Sequence, residues 1–439
     1  MENINLTSVK TEIFDGCTLS AFYTDKFKNE VLKLGIAMPA DKDEKGTALF
    51  SLMINLLRSG TEKFPERADI VRRLGDLYDS SCSIGGFSLG ENKILEISSE
   101  MLSDRFIEGE SILDGICELM HQMLFCPVLD ENGSFYEETV EREKNVILNK
   151  IKSLKNNSRG YAQKRCRELM CAGESFALSV TPEALGVIGV KDVTDYYKDF
   201  ILGLDLHFSY FGQREPAEVA QIIKKYFFGA YTKQKSEIIP PACTPTKELR
   251  RYDEEMNIKQ GVIVIGMKTG VLPDAERSHV MSVFNNIYGG TFTSRLFKTV
   301  REKMSLCYYC SSDYINAKGV MFASSGIDVN NRELAEKAML SELDKLKNEY
   351  VSDEELEVAK KLTLKDYYDM LDYPSSIASF YFLRGIYGST LTINEAIEKI
   401  KQVTKEDVLA LAREITPDTV FFLKGTKTEE CDEEGDDYE

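Results

Sequence analysis

Two stretches of the chain, roughly 230 residues apart, carry one pattern of apolar and polar positions. Residues 34–61 read LGIAMPADKDEKGTALFSLMINLLRSGT, and residues 261–291 read GVIVIGMKTGVLPDAERSHVMSVFNNIYGGT. Each opens with a short apolar run suited to a buried strand, crosses a polar loop and enters a segment with apolar residues at helical spacing. Leu49, Leu52, Met53 and Leu56 mark the first helix face; Val280, Val283, Phe284 and Ile287 mark the second. Both stretches end in Gly-Thr. A charged helix follows each, then a Leu-Tyr neighbourhood (Leu77 with Tyr78, Leu306 with Tyr308), then a Ser-rich strand. KILEISSEML and GVMFASSGID then read as strands leading to helices. The matching order predicts a duplicated α+β unit.

The remaining segments are mainly helical. FYEETVEREKNVILNKIKSLKNNS sets Val140, Val146, Ile147 and Ile151 in a charged background. FYFLRGIYGS and INEAIEKIKQVTKEDVLALAREIT repeat that character in the second half, the latter with a start signal from Thr404 to Asp407. Three of the 11 prolines fall between Pro240 and Pro245, which predicts an extended linker over 231–250. A first domain at 1–230 and a second at 251–425 follow. Residues 426–439 hold eight acids against one Lys, and the expectation there is a disordered acidic tail.

Composition narrows the partners. In 439 residues, 72 acidic against 54 basic side chains leave a net charge of −18, which disfavours nucleic acid or an anionic membrane as partner. No window approaches 18 uninterrupted apolar residues, and MENINLTSVKTEIF lacks the basic and apolar regions of an export signal. The ten cysteines show no framework spacing, so the expectation is reduced thiols in a cytoplasmic protein.

Catalytic constellations are nearly absent. His121, His207 and His279 stand far apart, and none has a His or Cys at i+4 as a helical zinc site requires. Cys307 and Cys310 form a single CxxC in a strand-like context without a second pair. Gly289-Gly290 reads as a turn at a helix end.

The element order, together with NNIYGGTFTSRLFKTVREKMSLCYY, resembles the pitrilysin/insulinase metallopeptidase family in its processing-peptidase-like branch. The resemblance covers both halves and implies two similar α+β domains, each a mostly antiparallel sheet of about six strands packed against helices, joined by an extended linker. Counting back from Gly60-Thr61 sets Ser51, Ile54 and Asn55 where active members carry the His, Glu and His of their zinc motif. In EREKNVILNK, Glu143 keeps an upstream acid and Lys150 stands at the third ligand position. Ser and Asn are poor zinc ligands, Ile cannot act as a base and an ammonium repels the cation, so no metal is expected in this chain. Whether Lys150 reaches the former metal pocket stays open.

Arg301 and Tyr308, in contrast, occupy the positions of the Arg/Tyr pair with which family members hold substrate and stabilise the tetrahedral intermediate, near Gly289 and Gly290 of the same signature. The resemblance therefore implies a non-catalytic subunit of a bacterial heterodimeric zinc peptidase. A homologous partner carries the zinc motif, and the substrate is a peptide. The alternative is a peptidase-fold scaffold or peptide-binding protein with no part in catalysis. Self-association into a homodimer stays open.

Overall fold

The computed structural model describes residues 7–230, 238–244, 248–273 and 276–426. Parts of the expected linker (231–237 and 245–247) and the acidic tail from 427 onward lie outside the described residues. Two compact units emerge, neither continuous in sequence. Unit 1 comprises Met1–Ile151, Leu178–Pro240 and Tyr367–Asn394; unit 2 comprises Lys152–Ala177, Pro241–Asp366 and Glu395–Glu439.

Unit 1 holds a six-stranded sheet built from β1 (Thr7–Phe14), β2 (Cys17–Tyr23), β3 (Asn29–Pro39), β4 (Ser81–Leu89), β5 (Asn92–Leu102) and β6 (Leu206–Gly212), in the order β1-β2-β6-β3-β5-β4. Unit 2 holds five strands, β7 (Arg250–Met256), β8 (Gly261–Lys268), β9 (Cys307–Ile315), β10 (Val320–Ile327) and β11 (Thr416–Gly425), in the order β7-β11-β8-β10-β9. Removing β1 makes the two orders superimpose, with β2, β6, β3, β5 and β4 matching β7, β11, β8, β10 and β9. In each sheet one pair is parallel, β2 with β6 and β7 with β11, and every other pair is antiparallel. The fold is thus α+β with a repeated topology, in two mostly antiparallel sheets of six and five strands among the described residues.

The capping signals explain where helices begin. Helix α1 (Glu44–Leu57) starts behind Asp43, whose carboxylate accepts from the Gly46 N–H at 2.7 Å. Helices α2 (Arg67–Asp76), α3 (Ile112–Phe125), α4 (Glu137–Leu154) and α5 (Ser158–Met170) follow. Near the C-terminus Thr404 and Asp407 close a reciprocal capping box, at 2.9 and 3.2 Å, as their spacing predicts. On α4, Val140 and Ile147 are buried, whereas Val146 is exposed.

Each sheet receives a helix from the opposite half of the sequence. In unit 2, α5 lies on β8 and β11, with Ala162, Cys166 and Met170 buried against Val262, Val264, Phe421 and Leu423. In unit 1 the helix Pro374–Ile386 lies on β3 and β6. Matching glycines permit both contacts. A Cβ on Gly35 of β3 would stand 2.4 Å from the Phe382 ring, and one on Gly266 of β8 would stand 2.7 Å from the Met170 sulfur. The sequence pattern marks FYFLRG as a buried helix of the second half. It cannot say that the sheet beneath it belongs to the first.

The segment that delivers α5 also delivers a charge. Lys318, 1% exposed, pairs with Glu174 at 2.6 Å, and Lys268 approaches the same carboxylate at 3.7 Å. Glu174→Gln leaves a buried ammonium without its counter-ion and is expected to destabilise unit 2 by about 3 kcal/mol, read as a lower urea midpoint. A fragment of residues 241–439 lacks α5 and exposes Val262, Val264, Phe322 and Phe421. Expressed alone it should be insoluble or bind a hydrophobic dye; co-expressed with residues 1–240 it should return to the soluble fraction.

Candidate functional site

The degenerate metal motif lies on α1. Ser51 is half-buried there, and Ile54 and Asn55 are buried. Ile54 is packed toward β4: a Cβ on Gly86 would fall 2.3 Å from its δ-methyl and 2.8 Å from the Phe50 ring. Ile54, which the resemblance sets at the position of a general base, is therefore in apolar contact with an edge strand. The chain then turns at Gly60-Thr61. A Cβ on Gly60 would meet the Pro65 carbonyl oxygen at 2.1 Å, and the Thr61 hydroxyl accepts from the Phe64 N–H at 3.0 Å. That turn leads the chain toward α2.

Asn55 opens onto a cleft of about 550 Å³ in unit 1, lined also by Arg58, Arg67, Thr139, Arg142 and Glu143. Arg58 donates to the Asn55 side-chain oxygen, and the Arg142 Nε lies 3.1 Å from a Glu143 carboxylate oxygen. Lys150, seven residues beyond Glu143 on α4, is exposed and not part of the cleft lining. The α4 acid that shares the cleft lining with Asn55 is Glu143, two helical turns before Lys150.

Zinc does not fit this donor set. Of the oxygen donors in the lining, those of Asn55 and Glu143 are engaged by guanidinium groups, Glu66 is the second carboxylate, and a third arginine lines the same cleft. A divalent cation would meet three fixed positive charges there. Among the described residues no three His, Cys, Asp or Glu side chains group in a way that could hold a metal. The histidines are occupied elsewhere. His121 packs against the Phe125 and Phe227 rings, and His207 shares a 3.0 Å hydrogen bond with Thr18. Burial lowers the affinity for a proton at all three.

In unit 2, Arg301 and Tyr308 sit on either side of a tight return. Arg301 lies in the wide helical turn Phe297–Lys303. The Leu306 N–H then donates to the Val300 carbonyl at 3.0 Å, and Ser305 takes a left-handed backbone with φ of 53°. The equivalent return before β4 uses Tyr78 and Asp79, with φ of 58° and 53°. In both returns the leucine is buried and the tyrosine exposed, Leu77 with Tyr78 and Leu306 with Tyr308.

A bulge decides where Tyr308 points. Opposite β10, Gly326 pairs with Tyr309 and Ile327 with Cys307, so Tyr308 has no partner in the ladder. An extra residue in one strand re-aims its side chain, and Tyr308 is 77% exposed. The same slip turns Cys307 and Cys310 to one face. Their thiols interact, and that contact, assisted by the Arg301 charge, lowers the Cys307 thiol to about 7 while Cys310 is pushed well up. The Arg301 guanidinium stands 4.5 Å from the centre of the Phe297 ring, which meets the exposed Phe292 ring edge-on at 5.4 Å. Neither an ion pair of Arg301 nor a hydrogen bond of the Tyr308 hydroxyl occurs among the described residues.

Gly290 is exposed, but Gly289 is buried: a Cβ there would lie 2.6 Å from the Ser312 hydroxyl and 2.8 Å from its backbone nitrogen. Close approach to β9 requires that glycine, which gives it a packing role where the resemblance implies substrate contact. Sequence reasoning missed the arginines of the cleft and the Phe292–Phe297–Arg301 stack. Arg58, three residues past Asn55 on one helix, was legible; Arg67 and Arg142 arrive from other elements.

Residues 188–363 match the family described as Peptidase M16 inactive domain. A Bacillus subtilis protein described as "Probable inactive metalloprotease YmfF" is 26% identical over 417 residues, spanning 94% of this chain and 96% of the relative. A conserved protein of Enterococcus faecalis V583 superimposes with a TM-score of 0.86 at 23% identity, over 96% of this chain and 99% of its own. A crystal structure of a peptidase M16 inactive domain from Pseudomonas fluorescens gives 0.77 at 17% identity, over 96% and 98%. These two structural likenesses carry the fold alone. The chain is thus similar in sequence to the Peptidase M16 inactive domain family over residues 188–363, and over nearly its whole length to a relative described as a probable inactive metalloprotease.

Proposed function

We propose that this chain is the non-catalytic member of a two-subunit zinc peptidase, supplying Arg301 and Tyr308 to the site of a homologous partner that carries the zinc motif. One observation carries the reading. A charged donor without an ion pair and a phenolic donor without a hydrogen bond among the described residues stand at a bulge that turns Tyr308 outward, in a chain whose sequence offers no zinc motif. Both groups donate hydrogen bonds. Placed beside a peptide carbonyl under attack, they stabilise the oxygen as it gains negative charge, which is where preorganised donors contribute most. The guanidinium stays charged at any working pH, and the Phe297 face beneath it holds it without neutralising it.

The peptide is held as an added strand. β4 and β9 each end a sheet, and such an edge offers main-chain pairing that tolerates many sequences. No described helix is long and apolar enough to cross a membrane, and we place the pair in the cytoplasm.

The pair is tested with this chain co-purified with a zinc-motif homologue from the same cell, using a quenched fluorescent peptide. Arg301→Ala and Tyr308→Phe should each lower turnover by roughly a hundredfold, the usual loss for one such donor. Equal cleavage by both variants, or no association between the two proteins, overturns the reading in favour of a scaffold. Elemental analysis of the chain purified alone should find far less than one zinc per chain. A stoichiometric ion there would contradict the assignment of the metal to the partner.

A further inference from the structure

The cleft that opens beside Asn55 has exchanged a metal site's chemistry for its opposite. Three guanidinium groups, from Arg58, Arg67 and Arg142, face two carboxylates, from Glu66 and Glu143, so the lining is net positive in a chain of net charge −18. The compensation is also incomplete group by group. The hydrogen bond of Arg58 goes to the neutral amide of Asn55, and Arg67 makes no ion pair among the described residues. Arg142 meets Glu143 through Nε, which leaves the paired Nη groups of its fork.

We infer that this cleft is a binding site for a carboxylate carried by a peptide. A planar guanidinium matches a carboxylate with two parallel hydrogen bonds, and here three come from three different elements: the end of α1, the start of α2 and the middle of α4. The rest of the lining selects a peptide over an inorganic anion. Pro65, Val128 and Val146 give the cleft an apolar wall, and Val146 is 47% exposed in a position that helix periodicity alone would bury. A volume of about 550 Å³ is within the usual range for a ligand pocket, roughly 300–1,000 Å³. Apolar contact plus fixed positive charge is the complement of a short apolar segment bearing one acid. Asn55 contributes by holding Arg58 without neutralising it, a service that a carboxylate at the same position would cancel.

The site belongs to unit 1 and does not rest on the Arg301 and Tyr308 reading, so it is tested on this chain alone. Three fluorescently labelled apolar pentapeptides are compared by anisotropy: one with a free C-terminal acid, one amidated with an internal Glu, and one amidated and neutral. At least one carboxylate peptide should bind tenfold or more tightly than the neutral one, and which of the two does so identifies a terminal or a side-chain acid as the source. Arg58→Ala and Arg67→Ala should each weaken that binding by about tenfold, as expected for loss of a charge-assisted hydrogen bond, and added salt should weaken it further. Arg72→Ala, on α2 but paired with Asp69 at 2.9 Å and outside the lining, should leave it unchanged. The proposal is overturned if the neutral peptide binds equally well, if no peptide binds, or if the Arg58 and Arg67 variants bind as the parent does.

Discussion

Everything in the two units rests on a close approach between a sheet and a helix contributed from the other half of the chain. Gly35 and Gly266 occupy matching central strands, β3 and β8, and at each a side chain larger than hydrogen would strike the incoming helix. The contact buries whole residues, Met170 and Phe176 among them in unit 2. Burial of a side chain of that size contributes on the order of 1.5–3 kcal/mol. It also imports charge, because the segment carrying α5 ends with Glu174, the counter-ion of the fully buried Lys318. Each sheet's second face is thereby completed by a remote part of the sequence, and neither half of the chain holds a finished core.

The duplicated topology repeats one local device in the two units. Each sends a helix into a tight return with left-handed backbone and then into an edge strand. In unit 1 the helix before the return is α2, while on α1 Ile54 packs on Gly86 and Asn55 holds an arginine. In unit 2 the return and the bulge present Arg301 and Tyr308 outward. The cleft beside Asn55 is lined by three arginines and two glutamates, with Pro65, Val128 and Val146 as its apolar wall.

Much of this was legible in the residues. The repeat at an offset of roughly 230, the Leu-Tyr neighbourhood at β4 and β9, and the box between Thr404 and Asp407 all appear as spacing, and local spacing determines local hydrogen bonding. That Ser51 and Asn55 are poor zinc ligands and Ile54 no base is likewise a matter of residue type. Lys150 shows where such reasoning stops. Glu143 and Lys150 lie on one helix two turns apart, and the sequence cannot say which of them a neighbouring helix will face.

By itself, then, the sequence determined the elements and their duplication, because these depend on residue identity and on contacts a few positions apart. Tertiary structure alone decided which sheet each helix covers, why Gly289 must be small, how a single unpaired residue turns Tyr308 to solvent, and that three arginines from three elements meet in one cleft. Each of those is a contact between distant positions. An apolar stripe records that a face is buried, and a charge that it tends toward water, but neither records the partner that close packing will bring against it.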